Sequence, residues 1–431
     1  MQRSDFMADD FQFIRETRKE KPMNRRRLFQ HIAETVLLAV VFGAVGCLTF
    51  VLLKPRIEQY FMPEEKPQIS FVEPEQPEDT DHADAAEDPA EDTNDEPEKV
   101  IIEKPTSMDL AEYQSLQNKM YAVGREADKF IVSVTNVKND TDIFNTPYEN
   151  KGIGSGVIIA DTGDQLLILT EKKTIQGAAS IRVTFVDDQT VKAELQQYDG
   201  NTGIAVLRVN TKDISQETRD QIAVATLGTS VGVSQGQMVL AVGSPIGTIH
   251  SILTGNITSN RNSISTMDCN YTIFTTDMVG SANASGVLIN ADGEIIGFIL
   301  QDYNMQKEQT TLAAVSISEL KGVIELLSND KPMPYLGMRI STVTDEISET
   351  YHMPKGVYVR EVALDSPAMA AGFQSGDVIT RINGVSITAA EDYEKLLRTL
   401  SDEQVIHIAY ERQDAEDYIS LESDARVGVL E

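Results

Sequence analysis

Residues 130–300 are dominated by nine short runs of β-branched and aliphatic residues, each closed by turn formers: FIVSVTNV, GSGVIIA, QLLILT, SIRVTFV, AVLRV, MVLAVG, TIFTTD, GVLIN and EIIGFIL. Strands of this length at this spacing predict an all-β barrel or sandwich. Asp292-Gly293, between two of the runs, predicts a tight hairpin. Helices are predicted at the flanks, over Leu110–Lys129 and near Ser318–Leu327.

The N-terminal quarter has a different texture. Val36–Leu53 is an uncharged apolar run, preceded by Arg15, Arg18, Lys19, Lys21 and Arg25-Arg26-Arg27. A helix over that run would be about 27 Å long, close to the hydrocarbon thickness of a bilayer. The basic flank predicts a cytosolic N-terminus with the bulk of the chain exported. The long leader and the lack of a small-x-small cleavage site favour an uncleaved anchor over a signal peptide. Residues 64–98 then hold 15 Asp or Glu and one Lys, against a net charge of −30 for the whole chain. So acidic and Pro-rich a segment cannot bury enough apolar surface to offset its ordering entropy, and it is expected to be a disordered stalk. The predicted organisation is a basic cytosolic tail over 1–30, a transmembrane helix over 32–53, the stalk over 54–109, and two folded domains over 110–330 and 331–431.

This acidic balance excludes ordinary nucleic-acid binding, which needs basic surface to displace counterions. Cys47 and Cys269 do not suggest a disulfide framework, and the five scattered histidines show no zinc pattern. No metal and no cofactor is expected.

Within 152–297 the motifs GIGSGVIIA, LILTEKKTI, TGIAVLRV, AVGSPIG, TGNITS, TTD, ASGVLIN and DGEIIG follow one another in order. In that order they resemble the HtrA (DegP-like) branch of the trypsin-fold serine proteases. The resemblance implies a pair of six-stranded β-barrels with the site in the cleft between them. Acyl transfer there needs a hydroxyl nucleophile, an imidazole base, a carboxylate that orients the base, and amides aimed at the oxyanion. Carried over by motif, the base position falls on Lys173, the carboxylate position on Gly203 and the nucleophile position on Ala284, with Ser285 the alternative placement. Ala282 stands where the family has a glycine that helps form the oxyanion hole. None of the five histidines lies where the family uses its base. The resemblance therefore implies a degenerate triad. A Lys173–Ser285 dyad is the hydrolytic alternative, and it requires burial to lower the lysine pKa by about three units.

Downstream, YLGMRIS, GVYVREV, SPAMAAGFQSGDVITRINGVSI and AEDYEKLLRTL resemble a PDZ domain, an α+β module, in the permuted form of HtrA proteins. Ser366-Pro367 reads as a helix N-cap with proline at the first helical position. Tyr393, Leu396, Leu397 and Leu400 line one helix face. By that resemblance the backbone N–H groups of Tyr335-Leu336-Gly337 receive a peptide's C-terminal carboxylate, and residues 338–342 form the pairing edge. Residues 391–400 form the helix across the groove. Met338, Ile340 and Leu397 are candidates to line an apolar pocket, or equally core residues. The expected fold is thus mainly β: a trypsin-like double barrel, then a PDZ domain, behind a membrane helix and an acidic linker. The expected partners are unfolded polypeptides or protein C-termini, with the bilayer as anchor. The family's habit adds a homo-trimer or co-assembly with an active homologue. The expected role is envelope protein quality control by an inactive protease fold.

Overall fold

The structure, a computed structural model, describes residues 68–70, 110–141, 147–304, 311–415 and 417–430. The apolar run at 36–53, the basic tail and all of the stalk except 68–70 lie outside the described residues. Among the described residues no helix is long and apolar enough to cross a membrane.

Helix α1 (Leu110–Ala127) buries Met120, Gly124 and Ala127. A methyl at Gly124 would lie 2.8 Å from Ile252, so the glycine sets how closely this helix approaches the second barrel. A 3-10 turn at Asp128–Phe130 leads into the first barrel. Its strands are β1 (Ile131–Thr141), β2 (Pro147–Asp161), β3 (Gln165–Glu171), β4 (Ser180–Thr184), β5 (Thr190–Tyr198) and β6 (Ile204–Asn210). They close in the order β1-β2-β3-β6-β5-β4. A one-turn helix, α2 (Lys172–Ile175), follows β3, and α3 (Gln216–Gln221) follows β6.

The second barrel comprises β7 (Met238–Ser244), β8 (Ser251–Ser265), β9 (Asn270–Val279), β10 (Ser285–Ile289), β11 (Ile295–Leu300) and β12 (Thr311–Ser316). It closes in the order β10-β11-β12-β9-β8-β7. Closure removes exposed sheet edges. Strands β10 and β11 are buried at every position, which explains why GVLIN and EIIGFIL read as continuous apolar runs rather than alternating ones. Between them the predicted Asp292-Gly293 hairpin is realised as the turn 290–294. There Asn290 Oδ1 accepts from the amides of Asp292 (3.0 Å) and Glu294 (2.9 Å).

Helix α4 (Ile317–Ser328) closes the double barrel, burying Ile317, Leu320, Val323, Ile324 and Leu327 along one stripe. Its first turn is satisfied from a distance, because Ser230 Oγ accepts from the Ser318 amide at 3.0 Å. Just beyond its end, Asn329 holds a piece of the acidic segment. The Ile69 amide donates to Asn329 Oδ1 (3.0 Å), and Asn329 Nδ2 donates to the Ile69 carbonyl (2.8 Å). Ile69 also packs against the barrel core.

In the last domain β13 (Pro334–Tyr335) pairs with a short strand near the chain's end. The sheet is built from β14 (Met338–Thr342), β15 (Val357–Val362), β16 (Val378–Ile382), β17 (Val385–Ser386), β18 (Val405–Asp414) and β19 (Asp417–Arg426). The main path is β14-β15-β16-β18-β19, with β17 on β16 and β20 (Gly428–Val429) on β13. The intervening helices are α5 (Asp345–Tyr351), α6 (Pro367–Ala370) and α7 (Ala390–Arg398). Ser366 caps α6 as its sequence indicates, its Oγ accepting from the Met369 amide at 3.1 Å. Tyr393 and Leu397 on α7 face a core containing Leu336, Met338, Ile340 and Val359.

One backbone approach sets the position of β10. Gly286 and Gly243 are paired across β10 and β7, with φ of 133° and 128°. A Cβ on Gly286 would lie 2.2 Å from the Val242 carbonyl oxygen. Gly286→Ala is expected to lower stability by about 2–4 kcal/mol through overpacking and backbone strain, read as a fall in the urea midpoint.

Candidate functional site

Two loci carry the residues singled out in the sequence: the cleft between the barrels, and the loop that opens the last sheet.

In the cleft, Ser285 is the first residue of β10 and only 3% exposed. Its Oγ accepts from both the amide and the hydroxyl of Ser155 on β2, each at 3.0 Å. Thr170 Oγ1 in turn donates to the Ser155 carbonyl at 2.9 Å. The serine is thus a rivet between the barrels. Ala284 is fully buried in the apolar cluster of the second barrel. Its amide donates to the Ser281 carbonyl at 3.0 Å, and the Asn283 amide donates to Ser281 Oγ at 3.2 Å. Two amides of this loop are therefore consumed by the loop's own turn. An oxyanion hole needs such donors to converge on the position where negative charge develops.

Lys173, in α2, is held by acids. Its Nζ lies 2.7 Å from Glu171 Oε2 and 3.5 Å from Asp302 Oδ2. Burial alone would lower its pKa, but Glu171 and Asp302 together raise it above the ordinary lysine value. The condition for a lysine general base, a strongly depressed pKa, is therefore reversed. Glu171 is itself buried, and burial pushes its carboxyl up to about 7 against the pull of Lys173. Its second oxygen, Oε1, is buried without a hydrogen-bond partner. The structure gives Lys173 and Ser285 separate sets of partners and does not join them.

Gly203, at the carboxylate position, has φ of 71° and closes the turn after β5. Its carbonyl accepts from the Lys172 amide at 2.7 Å, while the Lys172 ammonium sits 3.5 Å above the Tyr198 ring. Asp199 stands at the start of this turn, but its carboxylate accepts from the Asn201 amide and from the amide and hydroxyl of Thr202. It is spent on the turn itself. Among the described histidines, His250 bonds Asp128 at 2.9 Å and His407 bonds Asp424 at 2.8 Å, in keeping with structural roles.

In the loop that opens at Tyr335 three consecutive amides, those of Leu336, Gly337 and Met338, cradle a carboxylate; the Tyr335 amide, expected among the donors, is not one of them. Asp268 Oδ2 accepts from the amides of Leu336 (2.8 Å) and Gly337 (2.7 Å). Its Oδ1 accepts from the Met338 amide (3.1 Å) and from the Tyr393 hydroxyl (2.6 Å). Asp268 lies in the turn between β8 and β9, 2% exposed, with φ of 63°. Burial raises its pKa, while Tyr393 and the three amides oppose that rise. Next to it, Glu394 on α7 accepts from the Asn270 amide (2.8 Å) and side chain (3.2 Å), and burial lifts its carboxyl to about 7. Met338, Ile340 and Leu397 are buried in the domain core, so the open choice between pocket and core resolves to core in this state. Tyr335 stays half-buried beside the cradle.

Sequence reading missed Asp268, Ser155, Glu171 and Asp302. Glu171 had a local signal, since it stands two residues from Lys173 with the side chain of a natural counter-ion. For the others the partner is distant in the chain.

With the geometry in place, comparison with known proteins is informative. Residues 154–298 match the trypsin-like peptidase domain family, and residues 334–422 match the PDZ domain family. Over 259 residues the chain is 31% identical to the probable periplasmic serine endoprotease DegP-like of Halomonas elongata, covering 59% of this chain and 52% of that protein. It is 30% identical over 264 residues to the serine protease Do-like HtrB of Bacillus subtilis, covering 56% of each. The chain thus spans about half the length of these relatives. Among solved structures, HtrA-type protease AlgW with decapeptide superposes with a TM-score of 0.52 at 24% identity, over 72% of this chain and 98% of that one. That likeness concerns the fold.

Glu171 makes stability depend on pH. Unfolded, it ionises near 4.5; folded, near 7. Above pH 7 the native state must hold a buried carboxylate, whereas below about 4.5 both states are neutral, so Glu171 adds stability as pH falls from 8 to 5. In Glu171→Gln this increment is expected to disappear. The urea-derived stability difference between pH 5 and pH 8 should shrink by about 3 kcal/mol relative to the unaltered chain.

Proposed function

We propose that this chain, an HtrA/DegP-like protein with a trypsin-like peptidase domain and a PDZ domain, binds polypeptides without cutting them. The observation that carries this reading is the state of the base position. An ammonium held by Glu171 and Asp302 has no lone pair to take a hydroxyl proton. Three further features support it. Gly203 brings no carboxylate, the Ser285 hydroxyl is buried against Ser155, and the Ala284 amide is turned onto Ser281. Each removes a separate part of the acyl-transfer machinery, and losses of parts that act as a unit cannot be offset by those that remain.

On this reading the chain is a membrane-anchored pseudoprotease of the cell envelope. The run at 36–53 spans the bilayer, the basic tail lies in the cytosol, and the folded part is extracytoplasmic. A periplasmic location is part of the name of one relative, which agrees with that orientation. The ligands are unfolded chains or protein C-termini, taken by the PDZ groove. Assembly as a homo-trimer or beside an active homologue belongs to the same proposal.

The test uses the full chain in detergent, with a fluorophosphonate probe and unfolded casein. The expected result is no covalent labelling and no cleavage at any pH between 6 and 9, with casein retained on the protein. Labelling that vanishes in Ser285→Ala would establish Ser285 as a nucleophile instead, and its loss in Lys173→Met as well would identify Lys173 as the base.

A further inference from the structure

We propose that Asp268 is an internal ligand of the PDZ domain, and that a peptide C-terminus enters the groove only by displacing the β8–β9 turn. The inference rests on the peptide-binding half of the proposed function, and not on the loss of hydrolysis.

The contacts resemble those of an incoming chain end at the carboxylate and at the first main-chain bond. A C-terminal carboxylate bound by backbone amides in a loop is a recurring recognition mode, and Asp268 presents its side-chain carboxylate to three such amides. Strand addition also requires main-chain bonds to the sheet edge. The Asp268 amide supplies one, donating to the Met338 carbonyl at 2.6 Å. Two further contacts continue along β14: Ser265 Oγ donates to the Ile340 carbonyl, and Arg339 donates to the Ser265 carbonyl. The turn therefore occupies the edge from Met338 to Ile340 as well as the loop.

An ordinary interdomain contact would not need these features together. Asp268 adopts a left-handed backbone, which places its carboxylate and its amide on the same strand edge. Tyr393, on the helix across the groove, contributes its hydroxyl to the same carboxylate. Glu394, next to Tyr393 on the helix, fixes Asn270, two residues beyond Asp268, through two hydrogen bonds. The turn is held from the first barrel as well, because Asn201 Nδ2 donates to the Met267 carbonyl at 2.8 Å. A tethered ligand competes at an effective concentration of about millimolar, so free peptides meet an apparent affinity lowered by the small fraction of open grooves.

The probe is a pool of fluorescent decapeptides with apolar last residues and free carboxylates, titrated against the full chain in detergent. The same pool with amidated ends serves as comparison. Asp268→Ala is expected to bind the free-carboxylate pool at least tenfold more tightly than the unaltered chain, with no gain for the amidated pool. Asp268→Asn, which keeps the shape and loses the charge, is expected to fall between the two. Equal affinity in all three proteins overturns the internal-ligand proposal and leaves peptide binding standing. Failure of every form to bind either pool overturns both. Should the variants fail to fold, hydrogen exchange on the unaltered chain decides. Saturating peptide is expected to expose the amides of 266–270 while keeping those of 336–338 protected, and unchanged protection at 266–270 counts against displacement.

Discussion

A carboxylate taken out of water must be met by donors, and the Asp268 site meets that requirement more fully than any other described here. Three amides and a phenol converge on its two oxygens, with solvent almost excluded. Burying an ion is costly, and removing one partner of a buried, hydrogen-bonded charge is costlier still. The bond set therefore works as a single unit that fastens the second barrel to the last sheet. The loop Leu336-Gly337-Met338, the helix carrying Tyr393 and the β8–β9 turn owe their mutual placement to it.

The cleft follows the same logic with the opposite outcome for chemistry. Glu171 is buried without enough donors, so it holds its proton more tightly than a free carboxyl does, up to about pH 7, and Lys173 is drawn to its ionised form as counter-ion. An imidazole at neutral pH can be uncharged and basic at once, which the ammonium of Lys173 is not. Once the neighbour is a carboxylate, the side chain that best satisfies the site is a permanent cation. The pair is locally favourable, and it keeps the amine protonated. Ser285 likewise lends its hydroxyl to cohesion between β2 and β10.

How much of this could be read from the chain depends on how local the cause is. The strands were legible because burial on both faces of a closed barrel leaves continuous apolar runs such as EIIGFIL. The α6 cap was legible because Ser366-Pro367 carries its own instruction. That the amides of Leu336 and Gly337 could cradle a carboxylate was legible because they are backbone groups, although the third donor is Met338 rather than Tyr335. What fills that cradle was not, since Asp268 stands 68 residues from Leu336 and 125 from Tyr393. The role of Ser285 was hidden in the same way, its partner Ser155 being 130 residues away. The choice between core and pocket for Met338 and Ile340 stayed open in the sequence because apolar side chains look alike in either setting.

The Ser281 turn has a consequence for any redesign of the cleft. Side chains at 173, 203 and 284 can each be exchanged by one substitution. The turn that draws the Ala284 and Asn283 amides onto Ser281 is a property of the whole loop, shared among several residues and their backbone angles. A hydroxyl, an imidazole and a carboxylate placed at those three positions would leave this turn as it is, with both amides still directed at Ser281. Where the loop's donors point is thus decided by the main chain, and side-chain exchange alone does not re-aim them.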